Sequence, residues 1–324
     1  MDENKLIEKR EFDNNFYLTL LTAGKSTQIW NNGRNIGLKY SIDRITLMAN
    51  LSLDSWEKHF FKWLKLPFIK ISGNGLKVLD YSNCDFDDFG NPHEHIEPEQ
   101  VAYIEMPKYR TNEIRIDFNP NHSMNSEGGI WLRELLNKLP QKHFSRADIA
   151  IDILNAPEIK HYQVWKFGCS EIIHMNRKRE METTYWGKAS SQQQIRLYNK
   201  KVEQAKRHGK IVNLEAWWRL EMQLRGDKVE KYPKLVAQML ERFYQADFRS
   251  KKLTDSEQNK LARLLIDPAY YGDLPKTSQQ RLRAIVKKSK PENGLSYDIA
   301  RGFKEALPML EKELYTYKGQ FHIN

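Results

Sequence analysis

Two cysteines, Cys84 and Cys169, stand in 324 residues, and no Cys-x-x-Cys pair occurs. That scarcity excludes a disulfide framework and a cysteine-ligated zinc site, and it points to a reducing compartment, the cytoplasm. No run of about 18 apolar residues is present, so no membrane-spanning helix is expected. The opening Met-Asp-Glu-Asn-Lys has no apolar core of signal-peptide type. A Gly-x-x-x-x-Gly-Lys-Ser/Thr loop is also missing, which excludes a P-loop motor within these residues. Acids are in short supply as well: 42 Asp and Glu stand against 52 Lys and Arg, a formal charge of +10. Such a balance predicts a polyanionic partner, nucleic acid ahead of a membrane surface.

With 40% hydrophobic residues the chain can bury a sizeable core, and its length allows two domains. Residues 1–40 are polar and broken by Asn31-Asn32-Gly33, and read as a loosely ordered arm with one short strand near Phe16 to Leu21. A strand follows at Arg44 to Leu51, with Asp54 placed to cap a helix through Trp56, Phe60, Phe61 and Leu64. Gly73-Asn74-Gly75 and Gly90-Asn91-Pro92 read as turns, the first as a hairpin rather than a phosphate loop. His93-Glu94-His95 offers two alternate histidines but no identifiable third ligand, and reads as a solvated loop.

The densest chemistry lies in Gln194-Ile195-Arg196-Leu197-Tyr198-Asn199-Lys200-Lys201. Its period of two predicts a strand with Arg196 and Tyr198 on one polar face. Arg115-Ile116-Asp117, Arg146-Ala147-Asp148 and Arg219-Leu220-Glu221 repeat the pattern, each with an acid in place of the phenol. Paired in one sheet, these four strands bring Arg115, Arg146, Arg196, Arg219, Asp117, Asp148, Glu221 and Tyr198 to a single face. Strands are expected at 113–118, 144–153, 182–187 and 216–224, with an amphipathic helix near Gly129 to Leu139 covering the apolar side. A connection ending in the basic run Arg177-Lys178-Arg179 precedes the Tyr198 strand, and a basic helix from about Lys201 to His208 follows it. After Gly226 the apolar spacing is helical throughout. The expected fold is therefore α+β: a central, mostly antiparallel sheet with helices on its apolar face, followed by a helical C-terminal region. The expected division is an arm at 1–40, a catalytic domain at 41–225 and a helical region at 226–324.

Three converging carboxylates repel one another, and the usual resolution is a bound hard cation or a raised pKa. All-oxygen ligands favour Mg2+ or Mn2+, which would polarise a phosphate oxygen. Arg196, Arg146 and Arg219 can clamp that phosphate, and Tyr198 can attack it. The plainer alternative is a set of cross-strand ion pairs on a solvated sheet, with Tyr198 there for packing.

Glu182-Thr-Thr-Tyr-Trp-Gly187, followed by the Gln194 to Glu203 stretch, resembles the signature of the Rep_trans family of rolling-circle plasmid replication initiators. Arg115 to Asn121, Ser145 to Asp152 and Trp218 to Leu224 fit the same family in order, so the resemblance spans roughly residues 41–317. It implies an origin-specific nicking and joining enzyme working as a homodimer, with Tyr198 as nucleophile and Asp117, Asp148 and Glu221 as metal ligands. Position 117 is Asp where the family has Glu, which makes Asp152 a substitute ligand. It further implies double- and single-stranded origin DNA and a host helicase of the PcrA type as partners. Lys200 and Lys201 are expected to hold DNA beside the nucleophile. Lys276, Thr277, Ser278, Gln279, Gln280, Arg281, Arg283, Lys287 and Lys288, an acid-free stretch that Thr277 or Ser278 could cap as a helix, are expected to bind DNA, with Lys287 and Lys288 on phosphates and, as the resemblance implies, Pro275 through Gln280 discriminating between origins. Two other functions fit the residues: a non-enzymatic basic DNA-binding protein such as a repressor or partition factor, and a metal-dependent nuclease that uses water.

Overall fold

The computed structural model describes residues 25–31, 33–82, 84, 98–121, 124–208 and 212–319. The expected strand near Phe16 and the His93 to His95 loop lie outside these residues. In chain order the strands are β1 Lys25–Asn31, β2 Arg34–Asn50, β3 Ile69–Ser72, β4 Gly75–Asp80, β5 Glu99–Glu105, β6 Glu113–Phe118 and β7 His143–Leu154. They continue with β8 Gln163–Val164, β9 Glu171–Met175, β10 Met181–Trp186, β11 Gln193–Asn199, β12 Trp217–Arg225 and β13 Phe243–Tyr244. The helices are α1 Leu53–Trp63, α2 Glu127–Lys138, α3 Lys200–His208, α4 Tyr232–Leu240, α5 Asp255–Ile266, α6 Tyr270–Asp273, α7 Lys276–Lys288 and α8 Leu295–Lys318.

Eleven strands form one sheet in the order β3-β4-β5-β6-β2-β7-β12-β11-β10-β9, with β1 beside the first half of β2. Every pairing in it is antiparallel. The α+β architecture expected from the period-two pattern is thus the observed one. The 17-residue β2 is the spine: β1 and then β6 pair along one of its edges, and β7 along the other. Residues 25–31 and 34–40, expected to be loosely ordered, therefore belong to the sheet, and Ile36, Leu38 and Tyr40 are fully buried. Asn31 pairs with Arg34 where β1 gives way to β2, and Gly33 stands at φ +73°, where a side chain would be strained. Gly73-Asn74-Gly75 likewise turns β3 into β4.

One face of the sheet is apolar, and helices cover it. Leu132 and Leu136 of α2, Val236 and Met239 of α4, and Ile299, Phe303, Leu310 and Leu314 of α8 join Ile42, Ile45, Ile116, Ile149, Ile151 and Leu220 in one core. Ser52, not the expected Asp54, caps α1 by accepting from the Ser55 amide at 3.3 Å. The region after Gly226 is not wholly helical, since β13 pairs with β8. Its first and last long helices belong to the main core, whereas α5 and α7 build a smaller one with Tyr244, Leu261, Leu264, Leu282 and Ile285. A capping box between Thr254 and Glu257 starts α5.

The seam between α8 and β2 is close. Tyr40 Oη donates to the Ile299 carbonyl at 2.9 Å, and a Cβ built on Gly302 would come within 2.9 Å of the Tyr40 ring carbon Cζ. Only a glycine lets α8 approach the tyrosine so nearly. Gly302→Ala is expected to destabilise the fold by about 1–3 kcal/mol in urea unfolding. Combined with Tyr40→Phe, which removes the crowding hydroxyl, its added cost should shrink. An additive double mutant would show that the two do not meet.

Candidate functional site

The opposite face carries the polar residues, and the register brings the four sequence motifs together. Arg196 pairs directly with Glu221, and Tyr198 with Arg219, between β11 and β12. Arg219 pairs with Asp152 and Gln223 with Asp148 between β12 and β7. Asp117 enters from β6 opposite Thr46 of β2. On the other flank Tyr185 and Thr183 of β10 face Arg196 and Tyr198. Side chains alternate along strands, so all of these share one face.

The acids lie deep and the guanidinium groups lie over them. Asp117, Asp148, Asp152 and Glu221 are buried, whereas Arg44, Arg115 and Arg196 keep a third or more of their side chains exposed. Asp117 accepts from Arg44 Nε at 2.7 Å and from Arg115 Nη2 at 2.8 Å, with a further short contact from Arg44 Nη2. Asp148 is held by Arg146 Nε at 2.7 Å and by its Nη2. Glu221 accepts from Arg196 Nη2 at 2.6 Å. Asp152 takes Arg219 Nε and Nη2, both at 2.8 Å, together with the Trp217 indole at 2.8 Å. Arg219 also reaches Asp43 at 2.5 Å.

Asp43 and Arg44 had no role in the sequence reading. They sit at a bulge: Ile42 pairs with Ile149 and Arg44 with Asp148, leaving Asp43 as the extra residue. The bulge turns both charges toward the polar face. Its trace in the sequence is a skipped beat, with apolar residues at 36, 38, 40 and 42 and then at 45 and 47.

Burial pushes the Asp148 carboxyl above the usual carboxylate range against the pull of Arg146 and Arg44. Burial does the same to Glu221; Arg196 opposes it, and Asp148 and Asp43 add to it. Mutual repulsion is therefore met by arginine pairs and by raised affinity for protons. That donor set does not fit a divalent ion as it stands, because every acid closes on a guanidinium. Among the described residues no three His, Cys, Asp or Glu side chains are grouped to hold one.

Tyr198 lies within this layer and is itself buried. The Arg196 guanidinium sits over its ring at 4.3 Å, and the Lys200 ammonium at 5.7 Å. Burial raises the phenol's pKa, Arg219 and Arg196 pull it down, and Glu221 and Asp43 raise it again. Beside it, Arg146, Tyr185, Gln194, Arg196, Glu221 and Gln223 line a recess. The buried Arg196 Nε and Gln223 Nε2 have no hydrogen-bond partner among the described residues.

The expected DNA contacts divide. Lys200 is tied to Glu203 at 2.7 Å, and Lys201 donates to the Leu214 carbonyl, so both brace α3. In α7, Lys288 pairs with Glu257 at 2.7 Å, Arg283 donates to Tyr271 Oη at 2.6 Å, and Gln279 donates to the Leu274 carbonyl at 3.0 Å. Lys276, Thr277, Gln280, Arg281 and Lys287 are exposed, and Ser278 is half-buried. Neither Thr277 nor Ser278 caps α7, which starts behind Pro275 without a side-chain cap.

No family model matches the chain. Among curated proteins it is 27% identical over 222 residues to a "Replication initiation protein" of Staphylococcus aureus, covering 67% of this chain and 68% of that one. A second S. aureus protein of the same name is 25% identical over 229 residues, covering 69% and 72%. Among solved structures, "Structure of Rolling Circle Replication Initiator Protein from Geobacillus stearothermophilus" aligns with 16% identity and a TM-score of 0.37, over 79% of this chain and 100% of that one.

Asp152 and Arg219 form the most deeply buried ion pair of this face among the described residues. Asp152→Ala should cost about 3–5 kcal/mol in urea unfolding, because Arg219 is left buried with Asp43 alone. Asp152→Asn, which keeps an acceptor for Trp217, should cost less. Equal, small losses would show that the network is not a stabilising unit.

Proposed function

As a relative of the Rep-type replication initiators, this chain is, we propose, a rolling-circle initiator that binds a plasmid origin and nicks one strand with Tyr198. The observation that carries the reading is the Tyr198 phenol set in a layer of guanidinium groups, with Arg196 over its ring at 4.3 Å. A phosphodiester entering the layer meets Arg196 and Arg146, which line the recess, with the buried Arg219 adding its charge from beneath. Tyr198 Oη attacks phosphorus and the bond to the 3′ oxygen breaks. The phosphate stays on the tyrosine as a 5′ ester, and the phenolic proton ends on the released 3′ hydroxyl, which a polymerase can extend. Arg219 and Arg196 favour phenolate, against burial. An arriving phosphate shares their charge, so the phenol must lose its proton to the reaction itself.

Rejoining at termination needs a second nucleophile once the first is occupied. A homodimer supplies it as the other subunit's Tyr198. Strand separation falls to a separate host helicase of the PcrA type, and the work is placed in the cytoplasm. Residues 226–324 are assigned to origin recognition and dimer contact. Exposed Lys276, Thr277, Gln280 and Arg281 at the start of α7 are the side chains free to meet DNA.

The burial of Tyr198 favours one other reading, a DNA-binding protein that does not cut. Supercoiled plasmid bearing the candidate origin separates the two. Tyr198→Phe should abolish nicking and the covalent adduct while origin binding stays within a few fold, because one hydroxyl is lost. Arg281→Ala should weaken origin binding without changing the adduct formed per bound complex. Binding with neither nicking nor adduct in the unaltered protein would establish the second reading.

A further inference from the structure

The β9–β10 hairpin is unused by this account, and its tip is the basic run Arg177-Lys178-Arg179. All three side chains are exposed, and among the described residues none closes on an acid. The nearest acid, Glu180, is engaged by Asn176, whose Nδ2 donates to it at 2.8 Å. Asn176 also fixes the turn, its Oδ1 accepting from the amides of Lys178 at 2.8 Å and Glu180 at 3.0 Å. Arg179 stands at φ +61°, in the left-handed region that favours glycine. An arginine held there at a conformational cost is a cation kept in place against backbone preference.

The hairpin grows from the site. Thr183 of β10 lies opposite Tyr198, and His174 of β9 lies opposite Thr183, so these three residues cross the polar face in a row. Tyr185 and Ile172 form a parallel row, and the His174 and Tyr185 rings meet edge to face at 5.7 Å. Ile172 is half-exposed on β9, which is the outer strand of the sheet. By strand geometry the tip stands about 15 Å from Tyr198, a few nucleotides along a strand. Lys206 of α3 pairs with Glu182 at 3.1 Å, three residues past the tip, and ties the hairpin to α3.

From this arrangement we infer that the β9–β10 hairpin guides the single strand at the cleavage site: bases lie over Tyr185, His174 and Ile172, and Arg177, Lys178 and Arg179 hold phosphates beyond them. The combination of ring and apolar side chains leading to free cations is what single-stranded nucleic acid requires. The inference rests on the proposed cleavage at Tyr198 for its direction, but the binding it asserts can be measured without cleavage.

The probe is fluorescein-labelled dT20, titrated at several salt concentrations. The test chain is Arg177→Ala/Lys178→Ala/Arg179→Gly, in which the glycine also relieves the turn. The control is Lys58→Ala/Lys62→Ala/Lys65→Ala on exposed positions of and just beyond α1, which removes equal charge. Thermal melts of both should match the unaltered chain to within a few degrees, as expected for surface substitutions. The hairpin variant should bind dT20 about tenfold or more weakly, with the slope of log affinity against log salt reduced by about two units. The control should change neither by more than a fraction of that. Equal losses in hairpin and control variants would make the effect one of net charge, and a loss seen with duplex but not with dT20 would give the tip to duplex DNA. Either outcome overturns the inference. Adduct formation at an origin is scored separately, so its absence would refute the cleavage reading alone.

Discussion

A carboxylate buried on a sheet face needs a cation beside it, and most of this molecule follows from how that need is met. Isolated, each buried acid would face a desolvation penalty of several kcal/mol. Four acids are buried on the polar face, and each is closed by a guanidinium from its own strand or a neighbouring one. The arginines fit because their planar forks grip both carboxylate oxygens while their stems cover the sheet. The result is a layered face, with the acids and Arg219 at the bottom and Arg44, Arg115 and Arg196 toward the solvent. It stays rigid because β2, β7 and β12 are clamped from the other side by α2, α4 and α8.

The same layering sets the chemistry of Tyr198. A phenol on a bare hydrophobic sheet would be inert, and one in open solvent would be unselective. Burial holds its proton on, Arg219 and Arg196 pull the other way, and Glu221 and Asp43 keep the site from a large excess of positive charge. In the proposed reaction, phosphate binding and nucleophile activation draw on one set of arginines. The β9–β10 hairpin continues the same face outward to the outer strand of the sheet.

Much of this was legible in the sequence, because a strand's side chains alternate with a period of two. Arg and Asp or Glu at i and i+2 in three places, with Arg and Tyr in a fourth, was enough to place all of them on one face. What neutralises the acids was not legible. Spacing tells which groups share a face but not whether the positive partner is an ion or a guanidinium, and Asp43 and Arg44 enter through a bulge that breaks the alternation. The length of β2 was missed for a different reason: Asn31-Asn32-Gly33 signals equally a disordered arm and a tight hairpin, and only the pairing of Lys25–Asn31 with β2 decides. Lys200, Lys201, Arg283 and Lys288 have intramolecular partners that lie 3 to 31 residues away, and no local pattern announces those pairings.

The central claim is that the phenol in the guanidinium layer becomes covalently joined to DNA. The direct measurement is to react the protein with origin DNA, trim the DNA with nuclease, digest with trypsin, and locate the nucleotide-bearing residue by mass spectrometry. The account predicts a 5′-phosphate ester on Tyr198, in the peptide that begins at Leu197. A nucleotide on Tyr185, or a nicked plasmid with no residue modified, would contradict it.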